Sequence, residues 1–120
     1  AKALKCDISQ IAKSIVIICD EPIIVVISGD KKVNLKKLSN ILNCKARIAK
    51  PEEVEKYTGF KVGGVPPFGF DKPIKIFLDK SLERFDFVYA AGGETNAIIK
   101  VPVSILKGIT KGEIIEVSYE

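Results

Sequence analysis

Lys13, the glycine and proline cluster around Gly63, and the pair Gly92-Gly93 are where residue type and spacing in this 120-residue chain could do chemistry. Lys13 lies between the segment 7–12 and an apolar run that begins at Ser14. A lysine at the entrance of a buried strand is drawn partly out of water, where its ammonium binds anions or carbonyl oxygens more strongly. A strand-end lysine that snorkels to solvent is the commoner case, and position alone does not separate the two.

Residues 59–73 hold four glycines (Gly59, Gly63, Gly64, Gly69) and three prolines (Pro66, Pro67, Pro73), with Phe60, Phe68 and Phe70 among them. Gly63-Gly64 lets the backbone pass close to a ligand, and Pro66-Pro67 fixes the dihedrals that follow. Amides held this way can point at a carbonyl oxygen or a phosphate. A turn that merely joins a helix to a strand is the plainer alternative, although the segment is long for a connection. Gly92-Gly93 follows an apolar run and precedes Glu94-Thr95-Asn96, which by itself reads as a hairpin turn. Gly29-Asp30-Lys31-Lys32 ends another apolar run and could contact phosphate, but one lysine among 17 is usually only solvated.

The chain has no histidine. A Ser-His-Asp triad, a Cys-His pair, a histidine general base and histidine-containing zinc sites are therefore excluded within it. Cys6, Cys19 and Cys44 are an odd number without C-x-x-C spacing, so no zinc cluster or redox dithiol is indicated. They read as reduced thiols of a cytoplasmic protein. Ser14, Ser28, Ser81 and Ser104 have no activating histidine and no nucleophile elbow, and Asp71, Asp79 and Glu83 form no paired-carboxylate pattern. No metal site and no cofactor is expected. Lys+Arg 19 against Asp+Glu 15 gives a net charge of +4, which permits a polyanionic partner without demanding one. No run approaches the roughly 18 apolar residues of a membrane span, so no membrane association is expected.

These residues need a scaffold, and its elements are legible in the periodicity. Residues 14–19 and 23–27 are β-branched runs separated by Asp20-Glu21-Pro22, a hairpin whose continuous apolarity implies cover on both faces. From Asn34, a natural N-cap, Leu35, Leu38, Ile41 and Leu42 share one helical face. A short strand over 46–49 leads to a helix over 51–58, with Pro51 in its first turn, Glu52 and Glu53 beside its positive end, and Gly59 as C-cap. Strands are expected near 74–79, 86–91, 97–101 and 113–119, with a short helix after Pro102 ending at Gly108. Without repeat or linker, one domain covers 1–120; Ala1-Lys2-Ala3-Leu4 reads as the tail of a helix begun upstream.

Four segments in order resemble the family of YbaK and prolyl-tRNA-synthetase-associated editing domains. They run from Gln10 through Lys13 to Val16, from Ser28 through Lys32 to Leu38, from Thr58 through the G-x-x-x-P of Gly63 to Pro67 and on to Gly69, and from Ala91 through Gly92-Gly93 to Ala97. The resemblance spans essentially the whole chain. It implies a compact α/β (α+β) domain with a mixed, partly closed, barrel-like sheet and a few short helices. It also implies hydrolysis, in trans, of the ester of a mischarged tRNA carrying a small amino acid, such as cysteine or alanine on tRNA for proline.

In that likeness Lys13 takes the place of the family's hallmark lysine, which binds and positions the aminoacylated 3′ end. Gly63, Gly64, Pro66, Pro67, Phe68 and Gly69 would line the aminoacyl pocket, and Gly92 and Gly93 would present backbone close to the ester. Branches that carry a histidine at this last position have no counterpart here. Relatives add an upstream segment that contributes to the pocket. The implied partners are the acceptor end of an aminoacyl-tRNA and a synthetase, in the cytoplasm. The competing expectation is a non-catalytic tRNA- or protein-binding module of the same fold. A basic nucleic-acid domain without a site fits only the charge, since arginine is scarce and the aromatics do not alternate with basic residues.

Overall fold

A computed structural model describes residues 8–70, 73–93, 97–111 and 113–119. The chain opens with a 3₁₀ turn, Ile8–Gln10, and enters the two longest strands, β1 (Ile11–Cys19) and β2 (Glu21–Ser28). They pair antiparallel from Ala12↔Ser28 to Cys19↔Glu21 around a left-handed Asp20 (φ 66°). The hairpin is thus longer than the β-branched runs alone suggested, because Ile11, Ala12 and Lys13 already belong to the ladder. Gly29 N–H donates to the Ile11 carbonyl (2.7 Å), extending the pairing one step further.

The remaining elements are α1 (Leu35–Leu42), β3 (Arg47–Ile48), α2 (Pro51–Thr58), β4 (Lys75–Asp79), a second 3₁₀ turn (Lys80–Arg84), β5 (Phe87–Ala91), β6 (Ile98–Pro102), α3 (Val103–Thr110) and β7 (Glu113–Ile115). One mixed, seven-stranded sheet runs β6-β5-β1-β2-β4-β7, with β3 branching from β1. β5 is parallel to β1, β4 to β2 and β7 to β4, whereas β6 is antiparallel to β5. No helix among the described residues is long and apolar enough to cross a membrane.

The double cover expected for the hairpin is present. Ala12, Val16, Ile24 and Val26 face one buried cluster with Leu78, Leu82, Val88 and Leu106, while Ile17, Ile23, Val25 and Ile27 face another with Leu38, Phe77 and Val117. Each Val, Leu, Ile or Phe among them, taken from water, stabilises the fold by about 1.5–3 kcal/mol. Asn34 caps α1, its Oδ1 accepting from Lys37 N–H at 3.1 Å, and Leu38 is fully buried. Ile41, expected on the same buried face, is 47% exposed. In α2 the Glu53 carboxylate accepts the Lys50 N–H (2.9 Å), and Gly59 (φ 80°) closes the helix on Glu55 O.

Three readings of the sequence need correction. α3 continues through Gly108 to Thr110 and is capped by a left-handed Lys111, so this glycine is a helical residue rather than a stop. β7 is short, and beyond it Ser118 makes only an isolated bridge to Val33. Cys19 and Cys44 are joined in a disulfide, not free thiols; left-handed Asn43 turns the chain back after α1 and brings their Cα atoms to 5.6 Å, within bridging range. Cys6 and the expected helix tail at residues 1–4 lie outside the described residues.

Candidate active site

The site begins with an interruption in the sheet. On one edge β1 pairs continuously with β2, but on the other it is shared: Ile11 and Ala12 pair with Tyr89 and Ala90 of β5, and Ile17 and Ile18 pair with Ile48 and Arg47 of β3. Ala49 N–H adds a bond to Val16 O at 3.0 Å. Between these partners, residues 13–15 face no strand among those described.

Backbone parity says which groups are left over. Ile11 O points to β2, where Gly29 donates to it, and Val16 O points the other way, to Ala49. Backbone direction alternates along a strand, so Ser14, two residues before Val16, aims its N–H and C=O into the gap. Pro22 fits the same parity. It lies opposite Ile18 in a pair that exchanges no ladder bonds, and so needs no N–H toward β1.

A cavity of about 370 Å³ occupies this gap, within the size range of small-molecule sites. Its floor is Ile11 to Ile15 of β1, one wall is Tyr89, Ala90 and Ala91 of β5 with Ala97 and Ile98, and the other is Val62, Gly63 and Val65 of the glycine loop. An annex of about 90 Å³ continues between Ser14, Val62 and Gly63 to Val16, Ala49 and Val54, and is almost wholly aliphatic. Ser14 Oγ is buried at the junction without a hydrogen-bond partner.

The glycine loop is ordered by its own contacts. Thr58 Oγ1 donates to Val54 O (2.6 Å) and accepts from Phe60 N–H (3.0 Å), and Phe60 meets Phe70 edge-to-face at 6.0 Å. Gly64 N–H closes a turn on Lys61 O (2.9 Å), with Gly63 at φ 86° in its third position. A Cβ at Gly63 would meet nothing within 4 Å. Glycine is required there by conformation, not by crowding. Gly64, Val65, Pro66 and Pro67 are buried behind this turn.

Lys13 and Gly63 therefore line one cavity, as a common site requires. Gly64, Pro66 and Pro67 support the wall from behind, and Phe68 and Gly69 lie further along the loop, outside the lining. Gly92 and Gly93 are next to the lining, not in it: Gly92 N–H closes the β5–β6 turn on Ala97 O at 2.8 Å, and a Cβ on Gly93 (φ 101°) would stand 3.3 Å from the Phe60 ring. Tyr89, Ser14 and the apolar positions Ile11, Ile15, Val62 and Ile98 were not legible as site residues. The strand pairings that bring them together are long-range.

Lys13 is half-buried. Desolvation, then the neighbouring Lys32 ammonium, hold its pKa below the ordinary lysine value, with Asp30 partly opposing. It forms no ion pair among the described residues, so its charge is available to a bound anion or to a polarised carbonyl.

Known proteins are similar to this chain over most of its length. A protein of uncharacterised function from Bacillus subtilis, YwhH, is 38% identical over 103 residues, 84% of this chain and 66% of that protein. The proline–tRNA ligase of Lactobacillus delbrueckii subsp. bulgaricus is 35% identical over 100 residues, 81% of this chain but 18% of the ligase, so the chain spans a small part of that enzyme. A solved structure provisionally named a trans-editing enzyme for prolyl tRNA synthetase superposes with a TM-score of 0.94 at 31% identity, covering 100% of this chain and 77% of that one. With residues 1–107 matching the model of the aminoacyl-tRNA editing domain, the chain belongs to the aminoacyl-tRNA editing domain family.

Proposed function

We propose that this domain is a trans-editing deacylase that hydrolyses the ester of a tRNA mischarged with a small amino acid, of the cysteine- or alanine-on-proline-tRNA kind. The observation that carries the reading is Lys13 at the wall of a cavity where Ser14 and Gly63 also present backbone. Selection between amino acids that differ by a methylene is worth only about 1–3 kcal/mol, so a second site of different shape is needed for accuracy. The small aliphatic annex suits a short side chain.

In the reaction the ester C–O bond breaks and a water oxygen bonds to the carbonyl carbon. The amino acid leaves as carboxylate and the ribose oxygen recovers a proton. Lys13 orients the acceptor end, and amides at the gap stabilise the developing oxyanion. Water attacks either the ester itself or an acyl species that a group of the substrate has first formed by displacing the ribose oxygen, since an activated ester needs little acid–base help. Gly64, Pro66, Pro67, Phe68 and Gly69 hold the loop in place; Gly92 and Gly93 fix the β5–β6 turn beside the ester. The setting is the cytoplasm, where a synthetase supplies the mischarged tRNA.

One observation favours a second reading, a binding module without hydrolysis. Among the described lining residues only Lys13, Ser14 and Tyr89 have polar side chains, and none is a carboxylate. Amino-acid release from a panel of mischarged tRNAs separates the two. Release from a small-amino-acid member supports editing; salt-sensitive tRNA binding with every ester left intact supports the module.

A further inference from the structure

The charged segment Gly29-Asp30-Lys31-Lys32 does not line the main cavity, though Asp30 and Lys32 act on Lys13 from beside it. Lys31 N–H donates to Ser28 O (3.0 Å), and this turn at the end of β2 carries Lys32 back toward Lys13. The two lysines line a second cavity of about 260 Å³ with Ile15, Val33, Leu35 and Ile48. It shares Lys13 and Ile15 with the main cavity, so Lys13 stands between the two.

Its chemistry is a pair of cations over an aliphatic floor. Asp30, the acid that acts on Lys13, is already committed: its carboxylate takes both Arg84 guanidinium nitrogens, at 2.8 and 3.2 Å. Neither Lys13 nor Lys32 makes an ion pair among the described residues. Two ammonium groups that repel each other and lack a shared counter-charge gain by taking an anion between them. The floor below offers Ile15, Val33, Leu35 and Ile48 to a flat apolar face. A nucleotide has both parts, a phosphate and a base, and an ester held in the main cavity is joined through its ribose to the first backbone phosphate.

We propose that Lys32, with Lys13, forms a two-cation seat for a backbone phosphate at the RNA 3′ end, with the adjoining base on the aliphatic floor. The seat rests on the editing reading for its ligand, and it extends that site past the ester to the nucleic acid. A rival path for the strand leads the other way, over the β5–β6 face. There Phe87 meets Tyr89 edge-on at 5.7 Å and the Lys100 ammonium stands 4.1 Å from the Phe87 ring centre.

The test is binding of a fluorescent RNA trinucleotide of sequence CCA, without an amino acid, to the wild type and to Lys32→Ala, Lys32→Gln, Lys32→Arg and Lys100→Ala, across a salt series. Exposed Lys32 has no packing role, and urea midpoints verify that each variant folds. Lys32→Ala and Lys32→Gln are expected to raise Kd about tenfold and to flatten the log–log salt slope by about 0.7, one single-strand phosphate contact. Lys32→Arg stays within about twofold of wild type, as does Lys100→Ala. Unchanged Kd and slope in Lys32→Ala, a loss that falls on Lys100→Ala instead, or no binding by the wild type overturns the seat. Deacylation assayed in parallel keeps the two readings apart. Release of amino acid without Lys32 dependence leaves editing standing and removes the seat, whereas Lys32-dependent binding without release does the reverse.

Discussion

Ser14 lies opposite Val26 across the β1–β2 ladder and, among the described residues, has no strand opposite it on its other edge, so the active-site candidate is a gap in a hydrogen-bonded sheet. A sheet normally satisfies its backbone groups on both sides. Here β5 and β3 each take one end of the edge and leave the middle unpaired among the described residues. The Ser14 hydroxyl is buried there without a partner.

From this follows an expectation for Ser14→Ala. Burying an unpaired hydroxyl costs about 1–3 kcal/mol, so its removal should leave stability unchanged or raise it by up to about 1 kcal/mol. Urea denaturation measures this directly. KM for a mischarged tRNA should rise at the same time, because the hydroxyl finds its partner in the bound aminoacyl group. A destabilised variant with wild-type KM would mean that the serine is only structural.

Lys13→Ala should cut turnover by at least about tenfold, roughly 1.4 kcal/mol of transition-state stabilisation, without unfolding the protein. The lowered pKa adds a pH signature. Burial and Lys32 make the charged form costlier in the folded state, so between the lowered native value and the ordinary one the unfolded chain holds more proton. Stability contributed by this group therefore rises with pH through that window. Capture of the anionic acceptor end falls through the same window as the ammonium is lost. Lys13→Arg, which stays charged, should remove both trends; a kcat/KM profile that keeps its alkaline fall in Lys13→Arg would assign the titration elsewhere.

How much of this was legible depended on range. Asn34, Pro51 and Gly59 mark helix ends through local conformation and bonds, so α1 begins, and α2 begins and ends, where residue types alone put them. Gly108 misled because an exposed glycine costs a helix only about 1 kcal/mol, less than the burial of Val103 and Leu106 returns. Lys13 and Gly63 were picked out by type, but that they line one cavity follows from β1 lying between β2, β5 and β3. Nothing local in Ser14 or Tyr89 announces that pairing. The expectation of reduced thiols rested on number and spacing, and neither shows that Asn43 folds Cys44 back upon Cys19.

The Cys19–Cys44 bridge closes a loop of 25 residues between the end of β1 and the end of α1. On a chain-entropy model a loop of this size stabilises by about 3 kcal/mol. Cys44→Ser should lower unfolding free energy by about that amount, read as a shift of the urea midpoint with little change in slope. Thiol titration of the denatured, unreduced protein should find one free thiol of the three cysteines, and three after reduction. Three thiols before reduction would remove the bridge from the native protein.

Asp79 is fully buried at the end of β4 and joins two distant parts of the chain. Its Oδ1 accepts the Val117 N–H at 2.8 Å, and its Oδ2 accepts the Ser81 N–H at 3.0 Å, capping the second 3₁₀ turn. In the sequence it stood out only as one of three acids without a paired-carboxylate pattern; the structure makes it the anchor of the C-terminal segment, with Val117 in the core. Asp79→Ala leaves two N–H donors without acceptors in a dry environment, at about 1–3 kcal/mol each. The variant should lose about 2–5 kcal/mol by urea denaturation, and exchange of the Val117 amide should accelerate more than that of β1 amides. Asp79→Asn should lose less, since its carbonyl oxygen can still accept from Val117 while its amide group faces the Ser81 donor. Equal losses in the two variants would mean that the carboxylate acts through charge rather than through these two bonds.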